Sequence, residues 1–286
     1  MKKLLFQFDT DLSPSVFDSV VAYDGGADHV IGHGGLTPAG VGTLVDGTIF
    51  TRAPKDKKNT AIFVGGSDMQ AGEALFKAVK SRFFGDFRVS IMLDSNGSNT
   101  TAAAAIAKLM TSGSIRNQRA VVLAGTGPVG QRAAFMLAKE GASEVIITSR
   151  QQSRAETVAK QIQQRFDVEV IPVEAFDAEA RARIIEEADI VVATGATGVE
   201  LIRGEHWQSL QRLKMIADAN ATPPLGIGGV DMMDRGTKRF GALAWGAIGF
   251  GTLKLSLHRA CIGRLFESND RVLDAEEIFE IAKTMA

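Results

Sequence analysis

Glycines at 125, 127 and 130 punctuate the run Ala120-Val-Val-Leu-Ala-Gly125-Thr-Gly127-Pro-Val-Gly130. The apolar residues before them read as a buried parallel strand, and Gln131–Glu140 after them as a helix. In such a strand–turn–helix one glycine bends the chain. A second lets backbone approach a pyrophosphate, and a third lets helix and strand pack closely. The helix N-terminus adds free N–H groups and the positive end of a dipole. Gly125, Thr126, Gly127, Pro128, Val129 and Gly130 therefore predict a dinucleotide site; a glycine-rich turn with nothing bound is the alternative. The next strand, Glu144–Thr148, ends at Ser149-Arg150-Gln-Gln-Ser-Arg154. A site selective for NAD places an acid about 20 residues past the glycines, on the ribose 2′-hydroxyl. Here that distance falls at Ser149 and Arg150, and the next acid is Glu156. A hydroxyl and a guanidinium suit a 2′-phosphate instead. Ser149, Arg150 and Arg154 thus predict NADP, with NAD as the weaker substitute, unless the arginines only decorate a solvated loop.

Other polar clusters also fall where strands end, which is where open α/β sheets bind ligands. Asp94, Ser95, Asn96, Asn99, Thr100 and Thr101 follow one strand; Thr194, Gly195 and Ala196 follow another; Asp218 and Asn220 follow a third. Asn99, Thr101, Thr194, Gly195, Ala196 and Asn220 are expected to line the cofactor, although each also reads as a helix cap or turn. Lys254 and His258 are four apart in the helical pattern Gly251–Phe266, hence on one face. A solvated face or a satisfied structural histidine is the alternative there. His29 and His33 lie in a stretch too glycine-rich for a helix, with no further ligands spaced nearby, so no metal site is expected. The single Cys261 sits in an apolar pattern and reads as a small buried hydrophobe.

The elements that must hold these residues alternate along the chain. Strands are expected at Leu4–Phe8, Gly47–Thr51, Thr60–Val64, Arg88–Leu93, Val168–Pro172, Asp189–Ala193 and Lys214–Ala217. Helices are expected at Asp68–Phe83, Ala102–Met110, up to about Arg165, over Ala178–Glu187 and at Gly251–Phe266. Ser13-Pro14 and Thr37-Pro38 each read as a cap followed by a first-turn proline. Asp274-Ala-Glu-Glu277 opens the last helix with a capping box. Alternating β and α predicts an α/β chain of mostly parallel sheets with helices on both faces. The 286 residues suit two domains, and the absence of a long linker suggests that helices join them across a cleft. A formal charge of −1 gives no basic surface for nucleic acid or membrane. One cysteine fits a reducing cytoplasm, and the apolar start stops at Asp9, too early for a signal peptide.

Several stretches together closely resemble the bacterial methylene-tetrahydromethanopterin dehydrogenases. They are Leu4-Leu-Phe-Gln-Phe-Asp9-Thr10, Tyr23-Asp-Gly-Gly-Ala-Asp-His29, Leu93-Asp-Ser-Asn-Gly-Ser-Asn-Thr-Thr101, Leu123–Gly130, Pro223-Pro-Leu-Gly-Ile-Gly-Gly229, Leu257-His-Arg-Ala-Cys261 and Leu265-Phe-Glu-Ser268. The resemblance implies oxidation of the methylene group bridging N5 and N10 of a reduced pterin, giving a methenyl cation and NADPH. It implies a discontinuous substrate domain, 1–103 plus 250–286, around an inserted Rossmann-type NADP domain, 104–249. It also implies a trimer-based homo-oligomer. Asp24, Asp94 or Asp218 would supply a carboxylate near the developing cation, Lys254 would orient the pterin, and His258 would position that face. A methylene-tetrahydrofolate dehydrogenase, with or without cyclohydrolase activity, is one alternative. Cyclohydrolysis needs a base to activate water, and Tyr23 is the only tyrosine available for a Lys–Tyr pair. An NADP(H)-binding regulatory protein is the alternative without turnover.

Overall fold

The computed structural model describes residues 1–286. The chain opens with β1 (Leu4–Asp9), α1 (Val16–Asp24), β2 (His29–His33), α2 (Gly42–Phe50), β3 (Thr60–Gly65), α3 (Met69–Ser81) and β4 (Ser90–Leu93). Then come α4 (Ser98–Ser112), β5 (Arg119–Leu123), α5 (Pro128–Lys139), β6 (Glu144–Ser149), α6 (Gln152–Phe166), β7 (Ile171–Glu174), α7 (Ala178–Ile185), β8 (Ile190–Ala193) and β9 (Met215–Asp218). A hairpin of β10 (Arg235–Arg239) and β11 (Ala242–Trp245) precedes α8 (Ala247–Leu265), β12 (Val272–Leu273) and α9 (Ala275–Met285). Packing divides the chain into two units, one of Met1–Thr100 with Leu255–Met285, the other of Thr101–Lys254.

In the first unit the sheet order is β12-β4-β3-β1-β2, and every pair is parallel. The order reverses between β1 and β3, so their carboxyl ends form the crevice in which such sheets take ligands. β3 and β4 are buried along their whole length, as strands covered on both faces must be. The core gathers Phe8, Ile62, Val64, Leu75, Ile91 and Leu93. The second unit orders its sheet β10-β11-β9-β8-β5-β6-β7, parallel throughout except for β10 against β11. Counted within the unit, its parallel strands run 3-2-1-4-5-6, the dinucleotide-binding order, with the switch between β5 and β8. Val121, Leu123, Val191, Ile216 and Trp207 lie in its core.

Local expectations change at several points, and the strand expected at Val168–Pro172 is Ile171–Glu174. Gly47–Thr51 lies mostly in helix α2 rather than in a strand: Thr48, Ile49 and Phe50 suit either period, but Val45, Thr48 and Ile49 are buried together at helical spacing. The first helix is capped by Ser15, whose Oγ accepts the Asp18 N–H at 3.2 Å, and Pro14 precedes the cap. Thr37-Pro38 starts no helix; α2 begins only at Gly42, after Val41, without a side-chain cap. The β10–β11 hairpin escapes a reading by turn chemistry because Phe240 and Gly241 make its turn, both at positive φ (50° and 112°). Asn-Gly or Asp-Gly is the usual signal for such a turn. At the C-terminus, the Asp274 N–H donates to the Glu277 carboxylate at 3.0 Å, the reciprocal half of a capping box.

Candidate active site

The glycine turn leaves the carboxyl end of β5 at the switch point of the second unit. Ala124, not a glycine, takes the left-handed conformation there (φ 53°), pinned by its N–H on the Thr148 hydroxyl at 2.9 Å. Gly125 has no room for a side chain, since a Cβ would lie 2.9 Å from the Val122 carbonyl and 3.0 Å from Ile147 Cβ. At Gly130 a Cβ would lie 2.6 Å from both Gly125 Cα and Thr194 Oγ1. Gly127 faces open space, since a Cβ there would meet nothing nearer than 4.0 Å, and it caps α5 without a side-chain bond. Pro128 opens the helix, so the first-turn amides that remain point outward unclaimed by a cap. That cradle fits a pyrophosphate. Thr194 ties the neighbouring strand end to it, its hydroxyl donating to the Leu123 carbonyl at 3.1 Å. Gly195 packs on Leu201, and Ala196 is exposed.

Ser149 closes β6, buried, its Oγ accepting the Gln151 N–H at 3.3 Å. Arg150 and Arg154 are exposed beyond it. The adenosine end of a dinucleotide would therefore meet two guanidiniums and no carboxylate on this strand end, which fits a 2′-phosphate.

Asp218 and Asn220 serve the segment that follows them. Asp218 is fully buried; one oxygen accepts the Asn220 N–H at 2.9 Å and the other the Ile227 N–H at 2.8 Å. Burial pushes its carboxyl up to about 6, against the pull of those backbone donors. Asn220 accepts the Thr222 N–H at 3.0 Å and donates to the carbonyls of Ala196 and Pro224. Sequence reasoning placed these residues at a strand end; their bonds fold the Pro223–Gly229 segment back over β9. Gly226 in turn accepts the N–H groups of Leu201 and Ile202, so the segment also holds the loop after β8.

In the first unit, Asp94 follows β4 and turns inward. It accepts the N–H groups of Asn99 and Thr100 at 2.9 and 3.1 Å and the Thr100 hydroxyl at 2.6 Å. His258 of α8 is fully buried, its Nδ1 4.0 Å from the Asp94 carboxylate and its ring stacked on Phe63 at 5.5 Å. Phe17 of α1 lies on another side of that ring, at 6.5 Å. Asn99 is buried, its amide donating to the Leu93 carbonyl at 2.7 Å and the Asp274 carboxylate at 3.3 Å. Thr101, where the second unit begins, is half-buried in α4. Asp24 is a surface group, paired with Arg259 at 2.7 Å. Lys254, where the chain leaves the second unit, is half-buried, one helical turn before His258 in α8. Tyr23 is half exposed, its hydroxyl accepting the Val30 N–H at 3.4 Å. Burial, with the Asp94 charge nearby, pushes the Cys261 thiol up to about 12, which keeps it an inert hydrophobe.

A 3-2-1-4-5-6 sheet whose switch-point turn has no room for a Cβ at Gly125 or Gly130 defines a dinucleotide-binding α/β protein. The comparisons narrow that class. Residues 16–96 match the family described as methylene-tetrahydromethanopterin dehydrogenase, N-terminal, and residues 106–221 that described as shikimate / quinate 5-dehydrogenase. The chain is 56% identical to the bifunctional protein MdtA of Methylorubrum extorquens, over 100% of this chain and 99% of the relative. It is 30% identical to the NAD(P)-dependent methylenetetrahydromethanopterin dehydrogenase of the same organism, over 95% of each. The solved shikimate 5-dehydrogenase of Listeria monocytogenes shares the fold, with a TM-score of 0.55 at 13% identity over 98% of this chain and 96% of that one. The chain belongs to the methylene-tetrahydromethanopterin dehydrogenase family. No helix is long and apolar enough to cross a membrane.

Proposed function

We propose that the protein oxidises N5,N10-methylene-tetrahydromethanopterin to the methenyl cation with NADP as the preferred acceptor. The observation that carries the reading is the family match on residues 16–96, which lies in the unit without the glycine turn and so speaks to the substrate. Loss of hydride leaves the bridging carbon as an amidinium cation shared by two nitrogens. No proton leaves or joins that carbon, so the residues act by positioning and electrostatics. When bound, the nicotinamide supplies the hydride acceptor. The Gly125–Gly130 cradle and the α5 N-terminus are assigned to the pyrophosphate, Ser149, Arg150 and Arg154 to the 2′-phosphate, and Thr194, Gly195, Ala196, Thr101 and Asn220 to the walls around them.

Lys254 is assigned to the pterin carbonyl or carboxylate tail; beside the cation itself its charge would oppose the reaction. His258 is a positioning residue, held by Phe63 and by the neighbouring Asp94 carboxylate. Of the three carboxylates, Asp94 is the best candidate for a fixed negative potential, since it stands 4.0 Å from His258 in the unit without the glycine turn, whereas Asp24 is paired at the surface and Asp218 belongs to the other unit. The protein is proposed to work in the cytoplasm as a trimer-based homo-oligomer. The exposed phenylalanines Phe50, Phe84 and Phe87, with ring centroids 5.1–6.2 Å apart, are apolar surface available for such assembly.

The test is a side-by-side assay of methylene-tetrahydromethanopterin and methylene-tetrahydrofolate, each with NADP and NAD, alongside sedimentation of the purified chain. Turnover is expected with the first pterin and NADP. Turnover with the folate alone would transfer the activity to the alternative substrate, and no turnover with either would end the enzymatic reading.

A further inference from the structure

The cofactor residues read from sequence all follow β5, β6, β8 and β9 or open α4; the turn after β7 contributes none of them. That turn nevertheless runs beside Arg150. β6 and β7 pair in parallel with Ser149 opposite Glu174, and the Ala175 N–H donates to the Ser149 carbonyl at 2.7 Å. The side chain of Arg181, from α7, folds back to this edge. Its guanidinium donates to the Phe176 carbonyl at 3.4 Å and to the Leu201 carbonyl at 3.0 Å. Resting on the assignment of Arg150 and Arg154 to the 2′-phosphate, we propose that Arg181 is a further arginine reading that phosphate, from the turn after β7.

The charges around Arg181 carry the argument. Several structured arginines of this chain meet a carboxylate: Arg82 with Asp46, Arg203 with Glu179 and Glu205, Arg239 with Asp234. The hydrogen bonds of the Arg181 guanidinium run to carbonyls instead. The two acids nearest it on the chain attract it but make their hydrogen bonds elsewhere. Asp177 caps α7 through the Ala180 N–H at 2.7 Å, and Glu179 pairs with Arg203 at 2.9 Å. Burial above all, and to a lesser degree the like charge of Arg150, push the Arg181 guanidinium below its ordinary range, against the pull of Asp177 and Glu179. Two guanidiniums close together repel one another. A phosphate between them turns that repulsion into two charge-assisted bonds. A cofactor without the 2′-phosphate gains nothing from the arrangement, so Arg181 discriminates between NADP and NAD.

Titration calorimetry on the full chain with 2′,5′-ADP and with 5′-AMP isolates this end of the cofactor from catalysis. Arg181→Gln is expected to weaken 2′,5′-ADP about tenfold, the low end for a lost bond to a charged group. Binding of 5′-AMP stays within about twofold, because it lacks the group being read. Arg181→Lys loses less, since it keeps the charge without the fork. Arg183→Gln, on the exposed side of the same helix, leaves both ligands unchanged. Equal losses for both ligands in Arg181→Gln would reduce Arg181 to a clamp on the Leu201 loop and overturn the proposal. So would equal losses in Arg181→Gln and Arg183→Gln, which would mark a net-charge effect, or no loss at all. If the glutamine variant does not fold, Arg181→Lys decides alone: a loss confined to 2′,5′-ADP supports the proposal and any other result rejects it. Arg150→Ala run in parallel separates the two readings. If it weakens both ligands alike, the phosphate assignment itself fails. If it is selective while Arg181→Gln is not, only the role of Arg181 fails.

Discussion

Replacing Asp218 by Asn should change how the stability of the second unit responds to pH. The carboxyl is fully buried at the end of β9 and rises from 3.8 to about 6. A carboxyl with a folded-state value above its unfolded one holds its proton more tightly in the fold. Its stabilisation is therefore fully present below about pH 3.8 and is lost as pH rises through about 6. The whole swing is (6 − 3.8) × ~1.36, or about 3 kcal/mol. Between about pH 5 and about pH 7.5, where other carboxyl groups interfere least, the same relation leaves about 1.4 kcal/mol. The asparagine of the variant does not titrate, so wild type should lose about 1.4 kcal/mol relative to Asp218→Asn across that interval. A constant penalty of about 1–3 kcal/mol accompanies the variant, because its NH2 must face one of two backbone N–H groups. Urea unfolding followed by tryptophan fluorescence suits the measurement. Both tryptophans, Trp207 and Trp245, belong to the second unit, and Trp207 bonds the Gly228 carbonyl at 2.8 Å within the segment Asp218 holds. A gap between the two proteins that stays flat with pH, or changes in the opposite direction, would refute the reasoning. Asp218 would then be an ordinary ionised carboxylate held by its backbone donors.

Three further outcomes are expected. Gly130→Ala places a Cβ 2.6 Å from Gly125 Cα and Thr194 Oγ1; it should cost about 1–3 kcal/mol of stability and abolish tight 2′,5′-ADP binding, and a variant matching wild type in both contradicts the cradle. Ala124→Gly should raise urea stability by up to about 1 kcal/mol, because Ala124 sits at φ 53° and glycine relieves that strain at some entropic cost; a clear loss would show that the methyl packs usefully. Lys254→Ala should lower pterin turnover by about 10- to 150-fold, the value of a hydrogen bond to a charged group, while 2′,5′-ADP binding persists; unchanged kcat/KM would leave Lys254 a surface charge on a helix joining two domains.

The parts of this protein legible in its sequence are those whose causes are local. Gly125, Gly127 and Gly130 announce the cradle because strand, turn and helix lie within one short run. Ser149 and Arg150 could be proposed for the cofactor's far end because β6 follows directly. The alternation of apolar runs is enough for two parallel sheets. Local signals fail where two readings share one pattern: Thr48-Ile-Phe50 suits a strand until the burial of Val45, Thr48 and Ile49 on one side selects a helix. The β10–β11 hairpin is hidden because its turn places Phe240 where asparagine or aspartate is expected. Strand-end residues show a further limit. Asp94, Asn99, Asp218 and Asn220 could be seen to stand at the right ends of the right strands. Whether they face a ligand or backbone depends on segments that return from far along the chain, such as Ile227 onto Asp218 and Asp274 onto Asn99. Arg181 had no sequence signal at all. Its place beside Arg150 exists only because β6 and β7 pair in register and because nearby carboxylates are engaged by other partners. Periodicity records which way a side chain leaves its own element; only the packed fold decides what it meets there.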